Sequence, residues 1–158
     1  MSWTDPAIVL AAVAAAVNAG AFFAFSNFVM PALADLPPAE GTAAMQSINR
    51  FAPTPLFVGS IFGAVAIGVP ALVFTWGSWS DGSFRWLAVG VASSLVSLLI
   101  TIACNVPRNE ALDRLDPSAE STERHWARYV SSWTRWNTAR TIASAVSVVA
   151  YLMAVRGR

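Results

Sequence analysis

The chain has 158 residues, of which 56% are hydrophobic and only 12% are charged. A soluble domain of this length carries about 25% charged residues, so the composition excludes an ordinary soluble globular protein. It predicts one compact integral membrane domain with the lipid bilayer as its first partner. The net charge of +1 also argues against a nucleic-acid partner.

Metal-binding residue types are scarce in this chain. It has one cysteine, Cys104, and one histidine, His125. One thiol excludes an internal disulfide and any multi-thiolate zinc or iron–sulfur site, and one imidazole excludes a multi-histidine centre within one chain. We therefore expect neither a metal nor a cofactor bound through such ligands.

Four stretches of the sequence lack charged residues and are long enough, or nearly so, to cross a bilayer, which takes roughly 20 apolar residues. They predict an all-α fold, a four-transmembrane-helix bundle with short cytoplasmic juxtamembrane helices, in a single domain over residues 1–158. The expected spans cover about residues 6–30, 54–76, 85–106 and 133–155. Because proline interrupts helical hydrogen bonding, Met30-Pro31 is expected to end the first helix and Pro107 the third.

The segment between the first two spans also has a helical pattern. Between Pro38 and Phe51, the apolar residues Ala44, Met45 and Ile48 recur at three-to-four residue spacing. This spacing predicts a short helix that lies on the membrane or covers the end of the bundle.

The second span contains the small-residue motif Gly59-Ser-Ile-Phe-Gly63. Small residues allow helices to approach closely in lipid. The motif favours packing within the bundle, and self-association of two chains through Gly59 and Gly63 is the alternative.

The fourth span is expected to begin before its charge-free stretch. That stretch, from Thr141 to Val155, is too short to cross alone, so the helix should start near Trp133. Arg140 then lies at the headgroup level or turns inward. A helix reaching back to Trp126 would place Trp126, Trp133 and Arg140 on one face, because they are seven residues apart.

Basic residues predict the orientation of the chain. Arg85, Arg156 and Arg158 lie on the side of the termini. More basic residues lie in the first and third loops and at the start of the fourth helix: Arg50, Arg108, Arg114, Arg124, Arg128, Arg135 and Arg140. The positive-inside rule therefore predicts a multi-pass protein of the cell membrane with cytoplasmic first and third loops and external termini.

Most of the unusual polar residues belong to the cytoplasmic end of the predicted bundle, where they can form a flat pocket for an aromatic ligand. Indole rings stack on such a ligand, a guanidinium binds an oxyanion and asparagines orient the ligand. The candidate catalytic residues are Arg140, Asn137, Asn105, Asn109 and His125. The candidate substrate-binding residues are Asn27, Trp133, Trp136, Tyr129 and Met30.

Each of these residue types also has a structural interpretation. The asparagines can be interhelical hydrogen-bonding groups or helix caps, and the tryptophans can be packing or interfacial residues. His125 can be a surface residue, and Arg140 can extend to the headgroups. The sequence leaves these alternatives open.

Five segments resemble the anthrone oxygenase-like family of small four-helix membrane proteins, and the resemblance spans nearly the whole chain. The segments are residues 23–33 (FAFSNFVMPAL), 36–39 (LPPA), 44–49 (AMQSIN), 105–109 (NVPRN) and 133–137 (WTRWN) with Arg140. Family members are implicated in oxidising an anthrone to an anthraquinone without a dedicated metal or flavin. The resemblance implies a lipophilic polycyclic phenol as substrate.

The chain departs from that family at one position. The residue after Trp136-Asn137 is frequently histidine in the family, and here it is Thr138. The resemblance therefore supplies no general base, and His125 lies more than three turns earlier on the same helix. A non-enzymatic membrane binding or assembly module that uses the same pocket is the alternative function.

Overall fold

The computed structural model describes residues 4–77 and 82–157, and these ranges contain helices and turns but no strand. Four helical stretches are long and apolar enough to cross a membrane: Thr4–Ala34, Pro55–Phe74, Gly82–Asp113 and Thr122–Arg156. They confirm the predicted all-α architecture with four candidate spans. Arg158, which contributed to the predicted orientation, lies outside the described residues.

The first candidate span is longer than expected. It consists of α1 (Thr4–Ala24), a first π segment (Phe25–Val29) and α2 (Met30–Ala34). The expectation that Met30-Pro31 ends this helix is therefore wrong. Pro31 lies in the first turn of α2, directly after the π segment, and the helix continues through it to Ala34.

The third candidate span repeats this arrangement. It consists of α5 (Gly82–Ile100), a second π segment (Thr101–Asn105) and α6 (Val106–Asp113). Pro107 does not end the helix, contrary to expectation, because it lies in the first turn of α6. The amide of Val106 bonds to the carbonyl of Thr101, which is the wide hydrogen-bonded turn of a π helix.

The predicted short helix between the first two spans is confirmed as α3 (Pro38–Phe51). Gln46 of α3 donates hydrogen bonds from its Nε2 to the carbonyls of Leu112 and Leu115, each at 2.9 Å. At Gly41 the backbone packs so closely on Trp126 that a Cβ would lie 2.8 Å from its ring. These contacts fix α3 across the loop end of the bundle.

The remaining long helices are α4 (Pro55–Phe74) and α7 (Thr122–Arg156). Thr54 caps α4 by accepting a hydrogen bond from the amide of Phe57 at 3.2 Å. The 35 residues of α7 give a helix of roughly 52 Å, longer than the hydrocarbon layer, so one end of it extends beyond the layer. As expected, α7 begins well before Trp133 and continues unbroken past Arg140.

The centre of the bundle is α7, which packs against both α1 and α5. Two serine pairs join α5 to α7: Ser94 to Ser147 at 2.6 Å and Ser97 to Ser144 at 2.9 Å. Hydrogen bonds between small hydroxyl side chains are a common means of association in lipid, where burial of apolar surface gives little driving force.

Tyr151 of α7 reaches across the bundle to α4. Its hydroxyl donates to the carbonyl of Ala64 at 2.8 Å, and its ring lies against Gly90 of α5. A Cβ at Gly68 would collide with the tyrosine hydroxyl. The close approach of these three helices therefore depends on glycine at positions 68 and 90.

The two glycines of the GxxxG motif contribute little to this packing. A Cβ at Gly63 would lie 3.8 Å from that of Ala14, which is ordinary contact, whereas one at Gly59 would meet nothing within 4 Å. Of the two glycines, Gly63 faces α1 and Gly59 faces away from the described helices. Ser60, between them, is buried and exchanges two hydrogen bonds with Asn18 of α1, at 3.0 and 2.8 Å. Self-association through the open Gly59 face stays a prediction.

Candidate functional site

A cavity of about 250 Å³ lies at the loop end of the bundle. Its wall is largely apolar and includes Phe22, Phe25, Phe57, Leu98 and Trp133. Its polar lining residues are Asn49, Thr101, Asn105, Asn109 and Arg140. The volume is slightly below the range of about 300–1,000 Å³ found for ordinary ligand pockets, so the cavity suits one compact molecule.

The guanidinium of Arg140 is the most unusual group in this wall. The side chain is 7% exposed, and its Nε and Nη2 atoms donate to Oδ1 of Asn137 at 3.0 and 2.8 Å. Nη1 donates to Oγ1 of Thr101 at 3.2 Å. The central guanidinium carbon lies 3.8 Å from the ring centroid of Phe22, which is a cation–π contact.

Among the residues that the structure describes, this buried cation has no anionic partner. In the described part of the chain, the ion pair present joins Arg114 and Glu110 on the surface, and no carboxylate contacts Arg140. A guanidinium has five N–H donors, of which three are used by Asn137 and Thr101. Two donors and an uncompensated charge are therefore available to an anionic ligand, and a buried charge without a partner is costly to a protein.

Asn105 adds a hydrogen-bond acceptor to the cavity. It is 1% exposed, and its Nδ2 donates to the carbonyl of Trp133 at 3.3 Å. Its Oδ1 is buried and has no hydrogen-bond partner among the residues the structure describes. Such a group costs about 1–3 kcal/mol, which a ligand hydroxyl can recover by donating to it.

Asn109 fixes the aromatic part of the wall. Its Oδ1 accepts from the hydroxyl of Tyr129 at 3.0 Å and from Nε1 of Trp133 at 2.7 Å. Tyr129 stacks between Trp126 and Trp133, with ring centroids 5.7 and 6.2 Å away. Trp133 is the member of this stack that lines the cavity, so Asn109 orients the ring that a ligand would contact.

The two π segments aim side chains at the cavity. Phe25 comes from the first, and Thr101 and Asn105 come from the two ends of the second. Arg108 holds the second segment against α7, since it donates to the carbonyl of Cys104 at 2.6 Å and to Oγ of Ser132 at 3.3 Å. Single π turns inside α-helices occur frequently at functional sites.

Four of the predicted site residues line the cavity: Arg140, Asn105, Asn109 and Trp133. Two more lie directly behind its wall. Asn137 bonds to Arg140, to the carbonyl of Phe22 and to Ser26, and Tyr129 bonds to Asn109. Asn137 and Tyr129 therefore position lining residues and do not line the cavity themselves.

The structure places the other four predicted residues elsewhere. Asn27 and Trp136 are exposed on the outside of the bundle, and Trp136 is 39% exposed. His125 is exposed, and its Nδ1 lies 2.8 Å from the carbonyl of Ser121. Met30 is fully buried in the apolar cluster around Trp126 and Leu112 and does not line the cavity. None of these four lines the cavity.

The predicted site residues do not include several residues of the lining, notably Phe22, Phe25, Asn49 and Thr101. Thr101 precedes Asn105 by four residues, so helical spacing could have placed both on one face. The phenylalanines carry no such signal, because apolar residues cover both the inner and the outer faces of a membrane helix.

The sequence model of the family described as anthrone oxygenase matches residues 46–150 of this chain. The chain belongs to the anthrone oxygenase family. No curated protein and no solved structure shows a significant match. Within the described residues, no group of three His, Cys, Asp or Glu side chains is placed to hold a metal ion.

Thr138, where the resemblance predicts a histidine, lies outside the cavity. Thr138 is exposed and bonds to Ser26 and to the carbonyl of Thr134, both at 2.9 Å. It borders a separate open depression with Met30 and Thr134. Thr138 is therefore not part of the cavity wall.

Proposed function

We propose that this protein is a membrane oxygenase that acts on a lipophilic polycyclic phenol of the anthrone type without a cofactor of its own. The observation that carries the proposal is the buried, unpaired guanidinium of Arg140 in the wall of an aromatic cavity. Membership of the anthrone oxygenase family supports the reaction class.

The proposed reaction converts a ring CH2 group and O2 into a ring carbonyl and water. Loss of one proton from the CH2 group gives an enolate, which is electron-rich because the adjoining rings and carbonyl share its charge. The enolate transfers electrons to O2, and a new C–O bond gives a peroxide. Transfer of the second C–H proton to the outer peroxide oxygen, with cleavage of the O–O bond, leaves the carbonyl and hydroxide. The hydroxide then combines with the first proton to form water.

The residues of the cavity support this sequence of steps. Arg140 stabilises the enolate oxygen through its two remaining N–H donors, an electrostatic contribution that is large in a site from which water is excluded. Oδ1 of Asn105 accepts a hydrogen bond from a phenol hydroxyl. The ring of Trp133, fixed by Asn109, provides a face for stacking.

The residues that line the cavity indicate where the substrate's proton goes. The cavity wall has no carboxylate and no imidazole among its described residues, and His125 and Glu110 are exposed elsewhere. We therefore propose that the substrate releases its proton to solvent and is bound as the anion. A nearby positive charge favours the ionised form of an acid, so Arg140 also promotes this ionisation.

The test is oxygen uptake and quinone formation by the purified protein with a hydroxyanthrone, in the presence of a chelator and after subtraction of autoxidation. Saturable turnover is expected for the unsubstituted chain and for Arg135→Met, which alters an exposed arginine of the same helix. Arg140→Met should lose this saturable turnover. Absence of turnover above autoxidation would refute the oxygenase and favour the non-enzymatic binding module.

We also propose that the protein lies in the cell membrane with external termini and with the cavity in the cytoplasmic half of the bilayer. The excess of arginine in the first and third loops supports this orientation. A cysteine introduced at Ser118, in a chain carrying Cys104→Ser, should react with a membrane-impermeant maleimide only after the cells are opened. Labelling of intact cells would show that the orientation is the opposite one, with cytoplasmic termini.

A further inference from the structure

The cavity is closed toward the loops. Helix α3 covers it there, and Met45, Ile48 and Asn49 contribute to the lining. Met45 is 1% exposed, and Ile48 and Asn49 are half-buried. Since Gln46 ties α3 to Leu112 and Leu115, this cover is attached to the rest of the bundle by hydrogen bonds.

The cavity is open toward the outer, lipid-facing side. Val58 and Phe62 of α4 and Ile102 and Val106 of the third span line the cavity, and they are 37%, 49%, 51% and 40% exposed. Residues that line a cavity and are also exposed outside mark its mouth. The mouth lies beside α4, which packs more extensively on α1 than on α5.

The position of the mouth along α4 indicates its depth in the bilayer. Pro53, which precedes α4, also lines the cavity, and Phe62 lies seven residues after the helix begins at Pro55. With a rise of 1.5 Å per residue, the mouth extends about 10 Å inward from the start of the helix. It therefore runs from the headgroup level into the hydrocarbon, and its edges are apolar.

We propose that the cavity fills from the bilayer through this gap between α4 and the second π segment, and that its occupant is an amphiphilic aromatic anion, either a phenolate or a carboxylate. The apolar mouth admits the rings at hydrocarbon depth, while the ionised oxygen stays near the headgroups. Inside, that oxygen meets the unpaired guanidinium of Arg140. The inference rests on the proposed function, because the same cavity holds the substrate.

Association kinetics of an unreactive probe test the inference. The full chain is reconstituted in phosphatidylcholine vesicles, and binding of anthracene-9-carboxylate is followed by tryptophan quenching in stopped flow. Ile102→Trp fills the mouth and should slow association about tenfold. The matched control is Ile142→Trp, at a position that is 60% exposed on α7 and does not line the cavity. This control should associate at the rate of the unsubstituted chain.

A second measurement uses no variant. When lipid is added to the proteoliposome membrane at fixed protein and probe, the association rate should follow the mole fraction of probe in the bilayer. An association rate that follows only the aqueous concentration of probe would overturn the lateral route. The route would also be overturned if Ile102→Trp and Val58→Trp, both at the mouth, associated with the probe as fast as the unsubstituted chain does.

Probe association and oxygen uptake test the lateral route and the oxygenase separately. Since the probe does not react, slowed association in Ile102→Trp without any oxygen uptake would support the lateral route and refute the oxygenase. Oxygen uptake together with unslowed probe association in Ile102→Trp would support the oxygenase and refute the lateral route. Failure of anthracene-9-carboxylate to bind would overturn the assigned occupant.

Discussion

Replacement of Arg140 by methionine separates a ligand-binding role from a structural one. In the structure, the guanidinium is buried, bonds to neutral partners and faces no carboxylate in the described ranges. Methionine fills similar space and removes the charge. It leaves Oδ1 of Asn137 without two donors, at a cost of about 1–3 kcal/mol, but it also removes the cost of an uncompensated buried charge, which is several kcal/mol. We expect the stability of Arg140→Met to equal or exceed that of the unsubstituted chain.

Anion binding should change in the opposite direction. The two free N–H donors of Arg140 can each form a charge-assisted hydrogen bond worth about 1.5–3 kcal/mol, part of which is offset by dehydration of the anion. A net loss of about 3 kcal/mol corresponds to about a 100-fold weaker Kd. Anthracene-9-methanol has the same ring system without the charge, so its Kd should change little.

The assay pairs equilibrium titration of both anthracene compounds with thermal unfolding followed by tryptophan fluorescence. Arg135→Met serves as the control for loss of an arginine from the same helix. A loss of more than about 3 kcal/mol of stability, with an unchanged preference for the carboxylate, would show that Arg140 is structural and does not bind the anion. An equal loss of affinity for both compounds would indicate altered packing instead of a lost anion site.

Three further predictions concern packing, ring orientation and pH. Gly68→Ala should lower the unfolding temperature, because a Cβ there displaces the Tyr151 hydroxyl, whereas Gly59→Ala in the same helix should leave it unchanged; equal effects would contradict the packing. Asn109→Leu should weaken binding of anthracene-9-carboxylate and destabilise the chain by about 1–3 kcal/mol, because a tyrosine hydroxyl and an indole N–H lose their acceptor; an unchanged Kd would remove the orienting role. His125→Gln should leave the pH profile of oxygen uptake unchanged, and the profile should follow ionisation of the substrate; a shifted profile in the variant would restore His125 as the base.

Local sequence determined the main elements of this protein. Charge-free stretches predict the four spans because a charged group in hydrocarbon is costly, and apolar spacing predicts α3 from Pro38 to Phe51. The seven-residue spacing of Trp126, Trp133 and Arg140 places them on one face of α7, and all three are buried. Periodicity within one helix is sufficient for that inference, since it requires no knowledge of the neighbouring helices.

Periodicity could not decide which aromatic residues face inward. Trp133 lines the cavity, whereas Trp136, three residues later, is exposed, and Asn27 is exposed although it is polar. In a soluble protein the buried face is the apolar one. In a bilayer both faces of a helix are apolar, so the inward direction depends on which helix packs on which side.

The backbone at the two prolines and the presence of the cavity depend on the packing of the helices. The sequence predicts that Pro31 and Pro107 interrupt helices, but a π segment precedes each proline and the helices continue. Both π segments contribute side chains to one cavity whose mouth is bordered by α4, so its shape depends on the packing of several helices at once. Composition and spacing are sufficient to identify the chemical groups that the chain carries. Which of these groups meet around a ligand depends on contacts between residues far apart in the chain.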